Sequence, residues 1–139
     1  MELLVTMAFV LVLSTLGVMA FRGYVDTAQT SSATNQLKLI SLAQFEYKSE
    51  FSSFYCDGSS TTNHASSLNS TLFNGNKTLD EDASVFRYQS LGIKPDGTTL
   101  TSDECSNTPS LASGFLLKAT NVKTNESLCL RDDNTTDCG

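Results

Sequence analysis

Between Leu3 and Phe21 the chain carries no charged residue, and directly in front of that run stands an acid, Glu2. Nineteen residues at about 1.5 Å rise make a helix of roughly 28 Å, close to the thickness of a bilayer's hydrocarbon core. A carboxylate at the leading edge of such a helix costs about 2.5–3.5 kcal/mol if drawn into that core. A residue so placed needs a partner, and the natural one is a positive charge at the N-terminus of a neighbouring copy. A secretory signal would instead show a basic front, a shorter apolar core and a small-residue cleavage site. A plain single-pass anchor explains the length but gives no reason for Glu2.

The helical pattern continues past the apolar run. Ala33, Leu37, Ile40, Ala43 or Gln44, Tyr47, Phe51 and Phe54 recur at spacings of three or four, and neither proline nor glycine interrupts Tyr24 to Tyr55. Such a stripe is wide enough to pack on a sheet. The spacing predicts one helix from the start to about Ser52, some 75 Å long at 1.5 Å per residue, whose first half has to protrude from any compact head. Leu39, Leu42 and Phe45 fall on a different face and are candidates for contacts between subunits.

From Asp57 to Asp82 the composition turns to Ser, Thr, Asn and Gly, with a short apolar island at Leu68, Leu72 and Phe73, which reads as a loop. Strand signals come next: Val85, Phe86 and Tyr88, then Phe115, Leu117 and Ala119, then Leu128 and Leu130. The polar stretch Asn121 to Glu126 makes the last two a hairpin. The expected fold class is α+β, a long N-terminal helix packed on a small C-terminal antiparallel sheet. Its expected divisions are residues 1–23 for an apolar membrane or filament-core helix, 24–55 for the amphipathic half, 56–83 for the connecting loop and 84–139 for the sheet-bearing head.

A net charge of −6 argues against a nucleic-acid surface, which is normally basic, and no direct nucleic-acid site is evident. It also argues against docking of the soluble part on anionic lipid. Cys56, Cys105, Cys129 and Cys138 make an even count, so structural disulfides are the default, with three pairings open. None of their spacings suits zinc, and the single histidine, His64, is remote from them in sequence and falls in a polar loop. No metal or cofactor is called for. No Gly-x-Ser-x-Gly, phosphate loop or carboxylate pair points to catalysis, so no catalytic residue is assigned. Four Asn-x-Ser/Thr patterns, at Asn69, Asn76, Asn125 and Asn134, are no more than a chain so rich in these residues produces by chance. The acidic pieces Asp80-Glu81-Asp82 and Asp132-Asp133 lack the spacing of a calcium loop and read as solvated charge.

Met1-Glu2-Leu3-Leu4-Val5-Thr6, the apolar stretch behind it, the passage Phe21-Arg22-Gly23-Tyr24-Val25 and the cysteine pair near the end resemble the type IV pilins and pseudopilins. The likeness is tight over about the first thirty residues; beyond them the layout matches rather than the letters. In that family the acid is the fifth residue of the mature chain, whereas here it is the second, so the sequence is expected to begin about three residues inside the mature protein. The family's N-terminal methylation is therefore not carried onto Met1. The resemblance implies assembly through Glu2 and Met1, and a filament-core helix displaying Leu3, Leu4, Val5, Phe9, Leu13, Leu16 and Phe21. It also implies a C-terminal disulfide loop, Cys129–Cys138, which leaves Cys56–Cys105. Family members lose helix at the depth of Ser14, Thr15 and Gly17 when polymerised; this chain lacks the proline that starts the break, so a short unwound segment within Ser14 to Met19 is the most that is expected.

The resemblance further implies a non-enzymatic major pilin, polymerising with identical subunits into an extracellular helical filament for adhesion, motility or DNA uptake. Its further partners would be the inner-membrane assembly machinery and, before assembly in the inner membrane, lipid. The alternative is a minor pilin at the fibre tip or a pseudopilin of a secretion system.

Overall fold

The computed structural model describes residues 2–57, 63–82, 85–107 and 111–138; the side chains of residues 2, 4, 15–20, 106 and 107 are outside that description. The elements run α1 (Glu2–Phe51), α2 (Ala65–Thr71), β1 (Phe86–Ile93), α3 (Ser102–Asn107), β2 (Gly114–Asn121) and β3 (Ser127–Arg131). The chain divides into two units, Met1–Ser32 and Ala33–Gly139. The fold is α+β, a long N-terminal helix and a small three-stranded antiparallel sheet.

The first unit is the N-terminal part of α1. Its hydroxyls turn inward: Thr6 Oγ1 donates to the Leu3 carbonyl at 2.9 Å, Ser14 Oγ to Val10 at 2.6 Å and Thr27 Oγ1 to Gly23 at 2.9 Å. Hydroxyls satisfied in this way ask for no outside partner. The helix is continuous through Ser14, Thr15 and Gly17 in the single chain; the expected unwinding belongs to the polymer. The membrane-length segment expected over residues 1–23 is not found, since among the described residues no helix is long and apolar enough to cross a membrane. The apolar run with described side chains ends at Leu13, and from Leu3 that is about 16 Å of helix, roughly half a bilayer core.

In the second unit α1 ends where Ser52 takes a left-handed backbone, φ 60°, and donates its N–H to the Lys48 carbonyl at 2.8 Å. This end closes orphan carbonyls, and Lys48 in the last turn complements the helix dipole. The helix thus stops at Phe51, within one residue of the expected end at about Ser52, and the division drawn at residue 55 lies four residues past it. The stripe is buried as expected at Ala33, Leu37 and Ile40, and both members of the Ala43/Gln44 alternative are buried, at 9% and 0% exposure. Tyr47 is half-buried and Phe51 is exposed.

The sheet order is β1-β2-β3, with Tyr88 opposite Ala119 and Ser90 opposite Leu117, then Leu117 opposite Leu130 and Ala119 opposite Leu128. Alternation puts Phe86, Tyr88, Phe115, Leu117, Ala119 and Leu130 into one core with the helix stripe and Phe54. The rings of Phe45, Phe54 and Phe115 meet edge to face, with centroids 5.0–5.8 Å apart. Phe45, assigned by periodicity to an outer face, therefore also touches the core. The Tyr88 hydroxyl donates to Gln36 Oε1; burial, helped by the Asp80 charge, pushes its pKa up to about 12.

Residues 56–83, expected as loop, contain α2, whose Leu68 is fully buried. Asn69, also buried, organises the segment after that helix: its Nδ2 donates to the Leu79 carbonyl and its Oδ1 accepts from the N–H groups of Thr78 and Leu79, at 2.9–3.1 Å. The head also contains α3, which the apolar pattern of the sequence does not reveal. Thr101 Oγ1 accepts from the Glu104 N–H at 3.4 Å while Glu104 Oε2 accepts from the Thr101 N–H at 2.9 Å, a reciprocal cap. Lys94 Nζ lies 2.7 Å from Glu104 Oε1; this bond, then those from Thr101, holds the Glu104 carboxyl down to about 2.

Disulfides join Cys56 to Cys105 and Cys129 to Cys138. Gly92, on β1, lies against the first: a Cβ there would sit 2.5 Å from Leu100 Cδ1 and 3.1 Å from Cys56 Cβ. Only a residue without a side chain lets the strand pass this close.

Candidate assembly surfaces

The N-terminal part of α1 displays large apolar side chains on every side. Leu3, Val5, Met7, Phe9, Val10, Leu11, Val12, Leu13 and Phe21 are each between 54% and 71% exposed. Consecutive exposed positions from Val5 to Leu13 cover the whole circumference at 3.6 residues per turn, so this is not one stripe awaiting one neighbour. A helix apolar all round is normally buried all round. Of the residues expected to build an assembly core, Leu3, Val5, Phe9, Leu13 and Phe21 are displayed here. Met1, the side chains of Glu2, Leu4, Thr15 and Leu16, and the surroundings of Gly17 lie outside that description.

A second surface lies in the other unit. Between α1 and β3 runs a groove of about 720 Å³. Leu42 and Phe45 form one wall, 67% and 46% exposed, and Leu128 and Leu130 the other, with Lys38 at its edge. The lining includes this one cation and no carboxylate. On the opposite flank of α1, a hollow of about 320 Å³ towards α2 is lined by Glu46, Tyr47, Glu50 and Phe51 and by no cation. The Tyr47 and Phe51 rings stack there, centroids 4.5 Å apart. Leu42 and Phe45 stood out in the sequence but neither hollow did, because each combines segments far apart in the chain.

His64 is not in an exposed polar loop: it is 3% exposed, precedes α2, donates its backbone N–H to the Tyr88 carbonyl at 2.9 Å and sets Nδ1 3.9 Å from Asp57 Oδ2. Its surroundings tie the connecting segment to the edge of β1, with Asp57 N–H on the Ser90 carbonyl and Asn63 Oδ1 taking the Tyr88 N–H. Burial, and next the Asp57 carboxylate, pushes nearby Tyr55 up to about 12. Asp133 takes both the N–H and the hydroxyl of Thr135, which holds its carboxyl below the usual range. Glu81 meets Lys77 at 3.8 Å. Among the described residues no group of three or more His, Cys, Asp or Glu side chains is placed to hold a metal ion.

Comparison with protein-family models, curated proteins and solved structures finds no match for this chain.

Proposed function

We propose that the chain is a structural subunit, a major pilin of type IV pilus kind, that polymerises through its N-terminal helix into an extracellular helical filament. The observation that supports this reading most is the apolar helix surface between Leu3 and Leu13, exposed on all sides in the single chain. Apolar surface removed from water stabilises by about 25 cal/mol per Å², and a full circumference is covered by lipid before assembly and by a bundle of several such helices after it. Glu2, placed at the head of that bundle, takes a charge-assisted contact from an N-terminal amine, its own or a neighbour's. The pool before assembly lies at the inner membrane, and the pilus assembly machinery is the partner that raises subunits from it. Adhesion, motility or DNA uptake would then belong to the fibre rather than to any cleft of the subunit.

Electron microscopy of sheared surface fibres, with mass spectrometry of their main band, tests the reading. The chain should be the main band, and Glu2→Ala should give a folded subunit and few or no fibres. Fibres in normal amount from Glu2→Ala would remove the role of that acid. A trace quantity of the chain in fibres made of another protein would replace the major-subunit reading with that of a minor one.

A further inference from the structure

The two flanks of α1 in the second unit complement each other in charge. One flank offers a groove with apolar walls, a single cation and no acid. The other offers Phe51, 56% exposed and stacked on Tyr47, flanked by Glu46 and Glu50 with no cation in that lining. The ion pairs among the described residues join Lys77 to Glu81, Lys94 to Glu104 and His64 to Asp57; none uses Lys38, Glu46 or Glu50. We infer that the Phe51 flank of one copy seats in the Leu42–Leu128 groove of the next, with Glu46 and Glu50 beside that copy's Lys38.

This complementarity is what makes a second copy the occupant. Within one helix Lys38 and Glu50 stand twelve residues apart in sequence, about 18 Å of rise, beyond the reach of their side chains. The charges each flank lacks are therefore supplied by the other flank of another molecule. A stacked aromatic pair loses little freedom on docking, and an aromatic anchor in an apolar pocket with charge at its rim is the usual form of an energetic centre in an interface. The contact is heterologous, because the surfaces differ, so it forms no two-fold dimer; repetition gives a ring where the rotation closes and an open array, which the filament reading requires, where it does not. The inference rests on the filament reading and adds to it a specific contact between neighbouring heads.

The test is carbodiimide cross-linking of the assembled full-length chain, with equal parts of unlabelled and nitrogen-15-labelled subunits, followed by peptide mapping. An amide joining Lys38 to Glu46 or Glu50 across differently labelled peptides is the expected product. Lys38→Glu should lower fibre yield about tenfold or more, and Lys38→Glu with Glu46→Lys and Glu50→Lys should recover most of it. Far-ultraviolet circular dichroism and the disulfide map check that these exposed substitutions leave the subunit folded. Fibres that form normally with Lys38→Glu and yield no such cross-link overturn the head contact and leave the filament reading standing. A wild-type chain that stays monomeric at every concentration overturns both.

Discussion

Gln44 shows how a polar residue can belong to a core. It is fully buried, and its Nε2 donates to the Tyr55 carbonyl at 2.8 Å and to Ser90 Oγ at 2.7 Å while its Oε1 accepts the Tyr55 N–H at 2.9 Å. One amide thus fixes the helix, the chain leaving it and the sheet to one another. Gln44→Leu keeps the volume but strands the Tyr55 N–H and one bond to Ser90, which costs about 1–3 kcal/mol. The variant should melt several degrees below wild type, about 4–8 °C for each kcal/mol in a domain of this size, as read by circular dichroism. Periodicity left Ala43 and Gln44 as alternatives, because spacing marks the face and says nothing of partners contributed by Tyr55 and Ser90. Asn69 escaped notice as a structural residue for the same reason. It reads as one more asparagine in a polar stretch, and its importance comes from the carbonyl and amides of residues 78 and 79 that fold back onto it.

Among the elements, those with a local repeating signal were legible. The apolar stripe of α1 and the alternation of Phe115, Leu117, Ala119, Leu128 and Leu130 each state a buried face directly. The short helices did not announce themselves. Helix α2 has seven residues, among them serine, threonine and asparagine after a leading Ala65-Ser66-Ser67, and is held by Leu68 in the core rather than by propensity. Helix α3 did carry a signal, the Thr101-x-x-Glu104 pattern of a capping box, but it stands in a stretch without apolar periodicity. The C-terminal segment is the least supported element. Beyond β3 its fastenings include the Asp132 N–H on the Phe115 carbonyl at 3.2 Å, the Arg131 N–H on the Thr135 carbonyl at 2.9 Å, and Cys129–Cys138, a closure of nine residues. A loop of that size contributes about 2.5–3 kcal/mol in the chain-entropy model. Under mild reduction hydrogen exchange should rise first from residue 132 onward, with residues 33–51 still protected. Simultaneous loss of protection in both would show that the two disulfides together support the whole head.

At the scale of the molecule, every residue of the main core cluster lies between Ala33 and Leu130, inside the second unit. Residues 33–139 alone should therefore fold as a monomer, with a melting temperature within about 5 °C of the full chain, an allowance of roughly 1 kcal/mol, and should form no fibres. Size-exclusion chromatography and a thermal melt check both halves of that statement, and a truncated chain that fails to fold would show the first unit to be needed for stability. The exposed apolar run of the first unit was legible from its lack of charge. The groove was not, because Leu42 and Leu128 come together only in the fold.

The outer edge of β1 bears on how copies of this chain can meet. Asp57, Asn63 and His64 occupy the outer side of β1, and the disulfide holds Cys138 with its Cα 5.2 Å from that of Cys129, alongside β3. The outer side of β1 is thereby closed to backbone pairing with another strand, the route by which strands lock into fibrils that do not come apart. Copies of the chain that meet along β1 therefore meet through their side chains rather than by adding a strand.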